Sequence, residues 1–175
     1  MDIALDAEYT RHAMKERLDR LFRHAAWANR AVIECLKSQP SLPRKATTIL
    51  AHVLGAEDVW LHRIRSEAGR LAVWADLSLS DCEAQAAKNS AAYAQVLEGL
   101  DNEGLDKTVV YRNSRGVRYE TRLHDILLHV CLHGSYHRGQ VASLVRASGG
   151  EPVNTDYIVY VRSQQEGAGG PGVGQ

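Results

Sequence analysis

The chain has 175 residues, and its 21 basic and 21 acidic side chains give a formal net charge of zero when the histidines are neutral. This length predicts one domain with a short tail, and the balanced charge argues against a nucleic-acid-binding protein, which typically carries a basic excess. No segment approaches the roughly 20 consecutive apolar residues that span a bilayer, and the first residues lack the pattern of a secretory signal.

Apolar residues at steps of three and four predict a first helix from about residue 7 to residue 38. The segment Gln39–Pro43 should end this helix, because proline cannot continue the hydrogen-bond ladder. A second helix should begin near Pro43, which suits a first turn, and should run to about Ala68. Gly69 is the expected stop.

The third predicted helix begins at a serine cap, either Ser78 or Ser80, and runs to about Leu100. After it the composition changes, because residues 108–111 and 117–121 are β-prone and are separated by turn-forming residues. This pattern predicts a small hairpin that packs on the helices.

A fourth helix is predicted from about residue 122 to residue 147, where Gly149 and Gly150 end it. Residues 157–161 are apolar enough to dock back on the bundle, whereas residues 163–175 form a Gly-rich tail that we expect to be disordered. The predicted fold is therefore all-α, a four-helix bundle over residues 1–162 with a long third-to-fourth connection carrying the hairpin.

Three cysteines, Cys35, Cys82 and Cys131, are widely separated and form no CxxC pair. An odd number leaves at least one of them unpaired. Reduced thiols are the simplest interpretation, and they indicate a cytoplasmic protein.

Four of the eight histidines lie in the predicted fourth helix: His124, His129, His133 and His137. The last three follow at four-residue steps, so neighbours lie on one helix face, about 6 Å apart along the axis. Two imidazoles at this spacing can bind one metal ion, as in the HExxH motif. All three would span about 12 Å, so a pair plus one outside ligand is the better geometry. The spacing alone leaves both pairs open.

His52 is the best outside candidate, because it lies on the apolar face of the second helix, where an unpartnered imidazole is costly. His62 lies about 280° further around the same helix and should be solvated. His12 and His24 are weaker candidates. Inward-facing histidines are also found as hydrogen-bonded core residues, so a bundle without metal is the alternative.

Residues around the second histidine pair have competing interpretations. Gln140 could orient His137 or be a polar surface residue. We expect Tyr136 to pack against a neighbouring helix, Arg138 to form a surface ion pair, and Asn29 to have a structural role.

Four ordered blocks of the sequence resemble the DinB family. His133-Gly-Ser-Tyr-His137-Arg-Gly-Gln140 resembles its signature, and residues 21–29, 50–61 and 152–160 resemble its first helix, second helix and C-terminal segment. The resemblance covers about residues 14–162. It implies a four-helix bundle with a divalent metal ion bound by His52, His133 and His137. It leaves His129 as a structural residue or a neighbour of the ligands.

The resemblance also implies a metal-dependent enzyme. Members of this family include thiol-dependent transferases and isomerases, so we expect a small electrophilic substrate, a low-molecular-weight thiol and a homodimer. A metal-dependent hydrolase and a non-catalytic metal-binding stress-response protein are the alternatives. Three neutral imidazoles leave coordination positions open, which is typical of catalytic sites. Zinc or nickel suits these ligands, and iron or manganese also fits. The sequence identifies no catalytic residue beyond the ligands, and we expect no nucleic-acid or membrane partner.

Overall fold

The computed structural model describes residues 3–41, 44–69, 71–101 and 103–168. Over these residues the chain forms five α-helices: α1 (Ile3–Lys37), α2 (Arg44–Arg65), α3 (Leu79–Glu98), α4 (Leu123–Ala147) and α5 (Tyr157–Ala168). Between α3 and α4 lie a single 3-10 turn and two strands: Gly104–Asp106, β1 (Thr108–Arg112) and β2 (Arg118–Arg122). The strands pair as an antiparallel hairpin, so the predicted helical fold with a small hairpin is confirmed.

The four long helices form a bundle in which consecutive helices are not the main neighbours. α1 packs on α3 and α4, and α2 also packs on α3 and α4, whereas α1 and α2 share few contacts. α1 and α2 are therefore diagonal partners. This arrangement places α2 directly against α4, which carries the four clustered histidines.

The apolar core consists of two clusters along the bundle. One contains Leu36, Leu50 and Val141 with their neighbours. The other is built around Leu18, Leu61, Leu127 and their neighbours, and includes Val109 of the hairpin. Burial of each large aliphatic side chain contributes roughly 1.5–3 kcal/mol to the free energy of unfolding. A two-stranded hairpin alone is marginally stable, so its packing against apolar residues of the helices explains why it forms.

A buried polar layer lies between the two apolar clusters, with one residue from each long helix. The Glu57 carboxylate accepts hydrogen bonds from Asn29 Nδ2 and Asn89 Nδ2, both at 2.9 Å. Arg138 Nη1 donates to Asn29 Oδ1 at 2.9 Å. All four side chains are buried. Burial raises the pKa of the Glu57 carboxyl, while the two amide hydrogen bonds and the Arg138 charge oppose that shift.

The surface ion pair expected for Arg138 is wrong, because this side chain is wholly buried and bonds to Asn29. The reason lies one turn earlier on α4. Gly134 has no side chain, and a Cβ there would lie 2.8 Å from Arg138 Nη1, so the glycine leaves room for the guanidinium. Asn29 has the structural role expected of it.

The helix ends show which local signals the chain uses. Ser78, rather than Ser80, caps α3 in a capping box, with Asp81 N donating to Ser78 Oγ at 3.1 Å. α2 ends at Arg65, earlier than predicted, because Ser66 adopts a left-handed conformation (φ 57°) and Glu67 N donates to His62 O at 2.9 Å. The helix therefore stops before Gly69 is reached.

The C-terminal expectation is corrected in part. Residues 163–168, assigned to a disordered tail, are helical and belong to α5. Arg162, Gln164, Gln165 and Glu166 are good helix formers, and no proline interrupts them, so the helix begun at Tyr157 continues. Residues 169–175 of the predicted tail lie outside the described residues.

The three cysteines are free, as expected. Burial raises the pKa of Cys82 to about 11 and that of Cys131 to about 12, so both thiols stay protonated near neutral pH.

In the described part of the chain, no helix is both long and apolar enough to cross a membrane.

Asn29→Ala should lower the free energy of unfolding by about 2 kcal/mol, because it leaves the buried Glu57 and Arg138 without their shared partner. Urea denaturation of the chelated protein measures this. Arg30→Ala, at the next and exposed position, is the control and should change stability by less than about 0.5 kcal/mol. Equal effects of the two substitutions would contradict the bridging role of Asn29.

Candidate metal centre

Three imidazoles converge where α2 packs on α4. His52 comes from α2, and His133 and His137 come from successive turns of α4. Their ring centroids are 5.0 Å (His52–His133), 4.6 Å (His52–His137) and 4.4 Å (His133–His137) apart. One ligand atom from each residue lies within 4.8 Å of the other two, so the group could hold a metal ion.

The donor chemistry and spacing fit a divalent ion. With zinc–nitrogen bonds of about 2.0–2.1 Å, two ligand nitrogens of a tetrahedral ion lie about 3.3–3.4 Å apart, somewhat closer than the 4.8 Å limit within which the three ligand atoms lie here. Small side-chain rotations therefore bring the three imidazoles into range. Neutral imidazole suits zinc, nickel and iron, so the ligand type does not select one metal.

Hydrogen bonds fix the orientation of two of the three rings. His52 Nδ1 donates to the backbone carbonyl of Val73 at 2.9 Å, and His137 Nδ1 donates to Gln140 Oε1 at 2.9 Å. Because both partners are acceptors, each Nδ1 carries the proton, and each Nε2 keeps its lone pair. Such contacts orient histidine ligands in metal sites. Of the two interpretations of Gln140, the contact with His137 is the one observed.

The surroundings of His52 and His133 favour the neutral form of these two imidazoles. Burial, followed by the charges of His137, His52 and His129, lowers the pKa of His133 from 6.5 to about 4. The pKa of His52 is also lowered, mainly by burial, although its hydrogen bond to Val73 opposes the shift. Neutral imidazole is the form that binds metals, so the local electrostatics favour the metal-binding state near neutral pH.

The remaining histidines of α2 and α4 are not members of this group. His129 is exposed, with its ring 5.5 Å from that of His133 and 5.3 Å from Trp60, so it is a neighbour of the three imidazoles. The solvated position expected for His62 is wrong. Its side chain is buried and its Nδ1 donates to Asp58 O at 2.8 Å, because α2 packs against both α3 and α4.

The other histidine candidates are engaged elsewhere. His24 hydrogen-bonds the Thr155 carbonyl at 2.8 Å, and His124 hydrogen-bonds the Leu105 carbonyl at 3.1 Å. These contacts join α1 to the loop before α5, and α4 to the 3-10 turn. The side chain of His12 lies outside the described residues.

Exposed aromatic rings border the three imidazoles. Trp74 is 60% exposed and stacks on His52, with 3.8 Å between centroids and 11° between planes. Tyr136 is 68% exposed, 5.1 Å from His137, so its expected packing against a neighbouring helix is wrong. Tyr136 lies on the same turn of α4 as His133, but its side chain points toward solvent. The sequence did not predict the contacts of Trp74 and Val73 with His52. Trp74 lies in an irregular connection that gives no periodic signal, and the Val73 contact uses a backbone carbonyl, which every residue has.

The chain is similar to known proteins along most of its length. A model of the DinB family matches residues 14–168. A relative described as "Protein DinB" from Bacillus subtilis (strain 168) is 25% identical over 164 residues. The alignment covers 81% of this chain and 92% of that protein.

The lowered pKa of His133 predicts how stability depends on pH without metal. The folded-state pKa of about 4 lies below the ordinary value of 6.5, so the unfolded state binds more protons between these values. The free energy of unfolding of the chelated protein should therefore fall as pH drops from 6.5 to 4. Urea denaturation at several pH values should show a shallower fall for His133→Gln, and parallel profiles would contradict the assignment.

Proposed function

The chain belongs to the DinB family, and on that premise we propose that it is a divalent-metal-dependent enzyme whose ion is bound by His52, His133 and His137. The observation that carries this proposal is the convergence of three imidazoles from two packed helices on one point. Zinc or nickel is the proposed metal, with iron and manganese as the other candidates.

The composition of the ligand group supports a catalytic role over a structural one. The group contains three neutral imidazoles and neither a carboxylate nor a thiolate, so its ligands do not offset the charge of a divalent ion. Structural zinc sites are usually closed by four protein ligands, whereas three protein ligands leave a position for substrate. His133 and His137 are only half-buried, so small molecules can reach this position.

The proposed reaction is transfer of a low-molecular-weight thiol to a small electrophilic molecule, or a thiol-dependent isomerisation. A divalent ion supplies a Lewis acid that lowers the pKa of a bound thiol or water. A free thiol has a pKa of about 8.5, against about 15.7 for water, so a thiol needs a much smaller shift to ionise near pH 7. The thiol is therefore the easier of the two to ionise at a metal ion.

The residues around the group have separate proposed tasks. Val73 and Gln140 hold the imidazoles with Nδ1 protonated, which leaves Nε2 for the ion. The exposed side chains of Trp74 and Tyr136, which contact His52 and His137, give the open side an apolar border. Such a border favours an acceptor with an apolar body over a strongly hydrated one.

We further propose that the protein is a cytoplasmic homodimer without nucleic-acid or membrane partners. The balanced net charge and the free cysteines support the location and the lack of nucleic-acid binding. Exposed Tyr157 and Ile158 on α5 offer apolar surface for self-association. Light scattering on a gel-filtration column tests the dimer.

Single replacement of His52, His133 or His137 by alanine should remove stoichiometric metal from protein purified without a His-tag. Elemental analysis measures the metal content. His129→Ala is the matched control, since it removes an imidazole from the same helix face and should leave the metal bound. Stoichiometric metal in all three ligand variants, or equal loss in the control, would show that the ligand assignment is wrong.

The metal-loaded protein should consume thiol and electrophile together, and chelation should abolish the reaction. A screen of small thiols against electrophilic acceptors, with ester hydrolysis measured in parallel, separates the alternatives. Hydrolysis without thiol dependence would favour the hydrolase. Metal binding with neither activity, and a large loss of melting temperature on chelation, would favour the non-catalytic metal-binding protein.

A further inference from the structure

The connection between α2 and α3 lies against one face of α2 over successive turns. Leu71 N donates to Asp58 Oδ2 at 3.3 Å, and His52 Nδ1 donates to Val73 O at 2.9 Å. Residues 52 and 55, and residues 55 and 58, are three apart, so each pair lies on adjoining parts of the helix surface, about 60° apart around the axis. The segment Leu71–Trp74 therefore runs along the face that carries the first proposed ligand.

Gly55 is where this segment comes closest to the helix. A Cβ atom at position 55 would lie 2.8 Å from Ala72 O and 3.2 Å from Val73 O. Both contacts are with backbone atoms, which cannot rotate away as the end of a flexible side chain can. Glycine in the interior of a helix lowers its stability relative to alanine, and Gly55 is buried in the middle of α2. A glycine at this position therefore needs a structural reason. The close approach of the two backbones supplies that reason.

The segment Leu71–Trp74 can approach α2 because Gly55 has no side chain, and it makes two different contacts with His52. The Val73 carbonyl accepts from Nδ1 in the plane of the ring, and the Trp74 indole stacks on the ring face at 3.8 Å. The first contact fixes the tautomer, and the two together restrict rotation of the imidazole. Although Trp74 is 60% exposed, this stack holds its indole against His52.

We propose that Gly55 is a positioning residue of the metal centre, acting through segment Leu71–Trp74 on His52. Because Gly55 has no side chain, the segment lies close enough to α2 for the Val73 carbonyl and the Trp74 indole to hold His52. In this orientation Nδ1 is protonated and Nε2 is available to an ion. A side chain at position 55 displaces the segment, and His52 loses its orientation. The inference rests on the proposed metal-binding function, because its consequence for affinity requires that ion.

The test compares Gly55→Ala with Gly139→Ala in the full chain without a His-tag. Gly139 is also helical, on α4, and a Cβ there meets nothing within 4 Å, so both variants gain the same intrinsic helix preference. Zinc affinity is measured by competition with a chromophoric chelator. We expect Gly55→Ala to bind zinc about 10–100-fold more weakly, the usual effect of losing a residue that orients a ligand. Gly139→Ala should bind zinc like the unaltered protein.

A second readout, on metal-free protein, is the 15N resonances of the His52 imidazole. The unaltered protein and Gly139→Ala should show one tautomer with Nδ1 protonated, and Gly55→Ala should show a mixture. A merely structural effect on stability would not change the tautomer. If the unaltered protein binds no divalent metal, the proposed function fails, and the tautomer still reports whether Gly55 orients His52.

Unchanged zinc affinity and an unchanged His52 tautomer in folded Gly55→Ala would overturn the proposal. If circular dichroism shows that this variant does not fold, Trp74→Ala replaces it, because the exposed indole can be removed without opening the core. Weaker zinc binding together with altered His52 resonances then supports the proposal. Unchanged zinc affinity in Trp74→Ala overturns it, whatever the tautomer, because the Val73 carbonyl that fixes the tautomer is still present in this variant.

Discussion

The buried bridge from Glu57 through Asn29 to Arg138 is the constraint on which the arrangement of the helices depends. A buried carboxylate and a buried guanidinium are costly unless they are hydrogen-bonded, so α1, α2 and α4 must align where the bonds can form. Apolar side chains tolerate a shift along the helix axis, because one aliphatic contact can replace another. Directional hydrogen bonds do not tolerate such a shift. The polar layer therefore fixes the axial register that the two apolar clusters leave loosely defined.

That register places the three imidazoles. His52 precedes Glu57 by little more than one turn on α2, and His137 immediately precedes Arg138 on α4. Once Glu57 and Arg138 are joined through Asn29, the ligand-bearing turns of α2 and α4 lie at the same level of the bundle. Gly134 serves the same arrangement, because it leaves room for the Arg138 side chain to reach inward to Asn29.

The imidazoles are then oriented by groups from different parts of the chain. His137 is held by Gln140 within its own helix, so the His-Arg-Gly-Gln segment contains both partners. His52 is held from outside its helix, by a backbone carbonyl of the α2–α3 connection. The first contact follows from helical spacing and was one of two interpretations available from the sequence. The second depends on how a loop without a periodic pattern lies on α2, and no residue type signals a carbonyl acceptor.

The sequence by itself determined the elements with local causes: the long helices, a serine cap on α3, the hairpin and the one-turn spacing of the α4 histidines. It also indicated His52 as an outside partner, but the choice between the two histidine pairs came from the family resemblance. Only the tertiary structure decided that Arg138 and His62 are buried, that α1 and α2 are diagonal, and that Trp74 lies on His52. The physical reason is range. Caps, turns and helix periodicity depend on neighbours a few residues away, whereas burial and imidazole orientation depend on which distant surfaces meet.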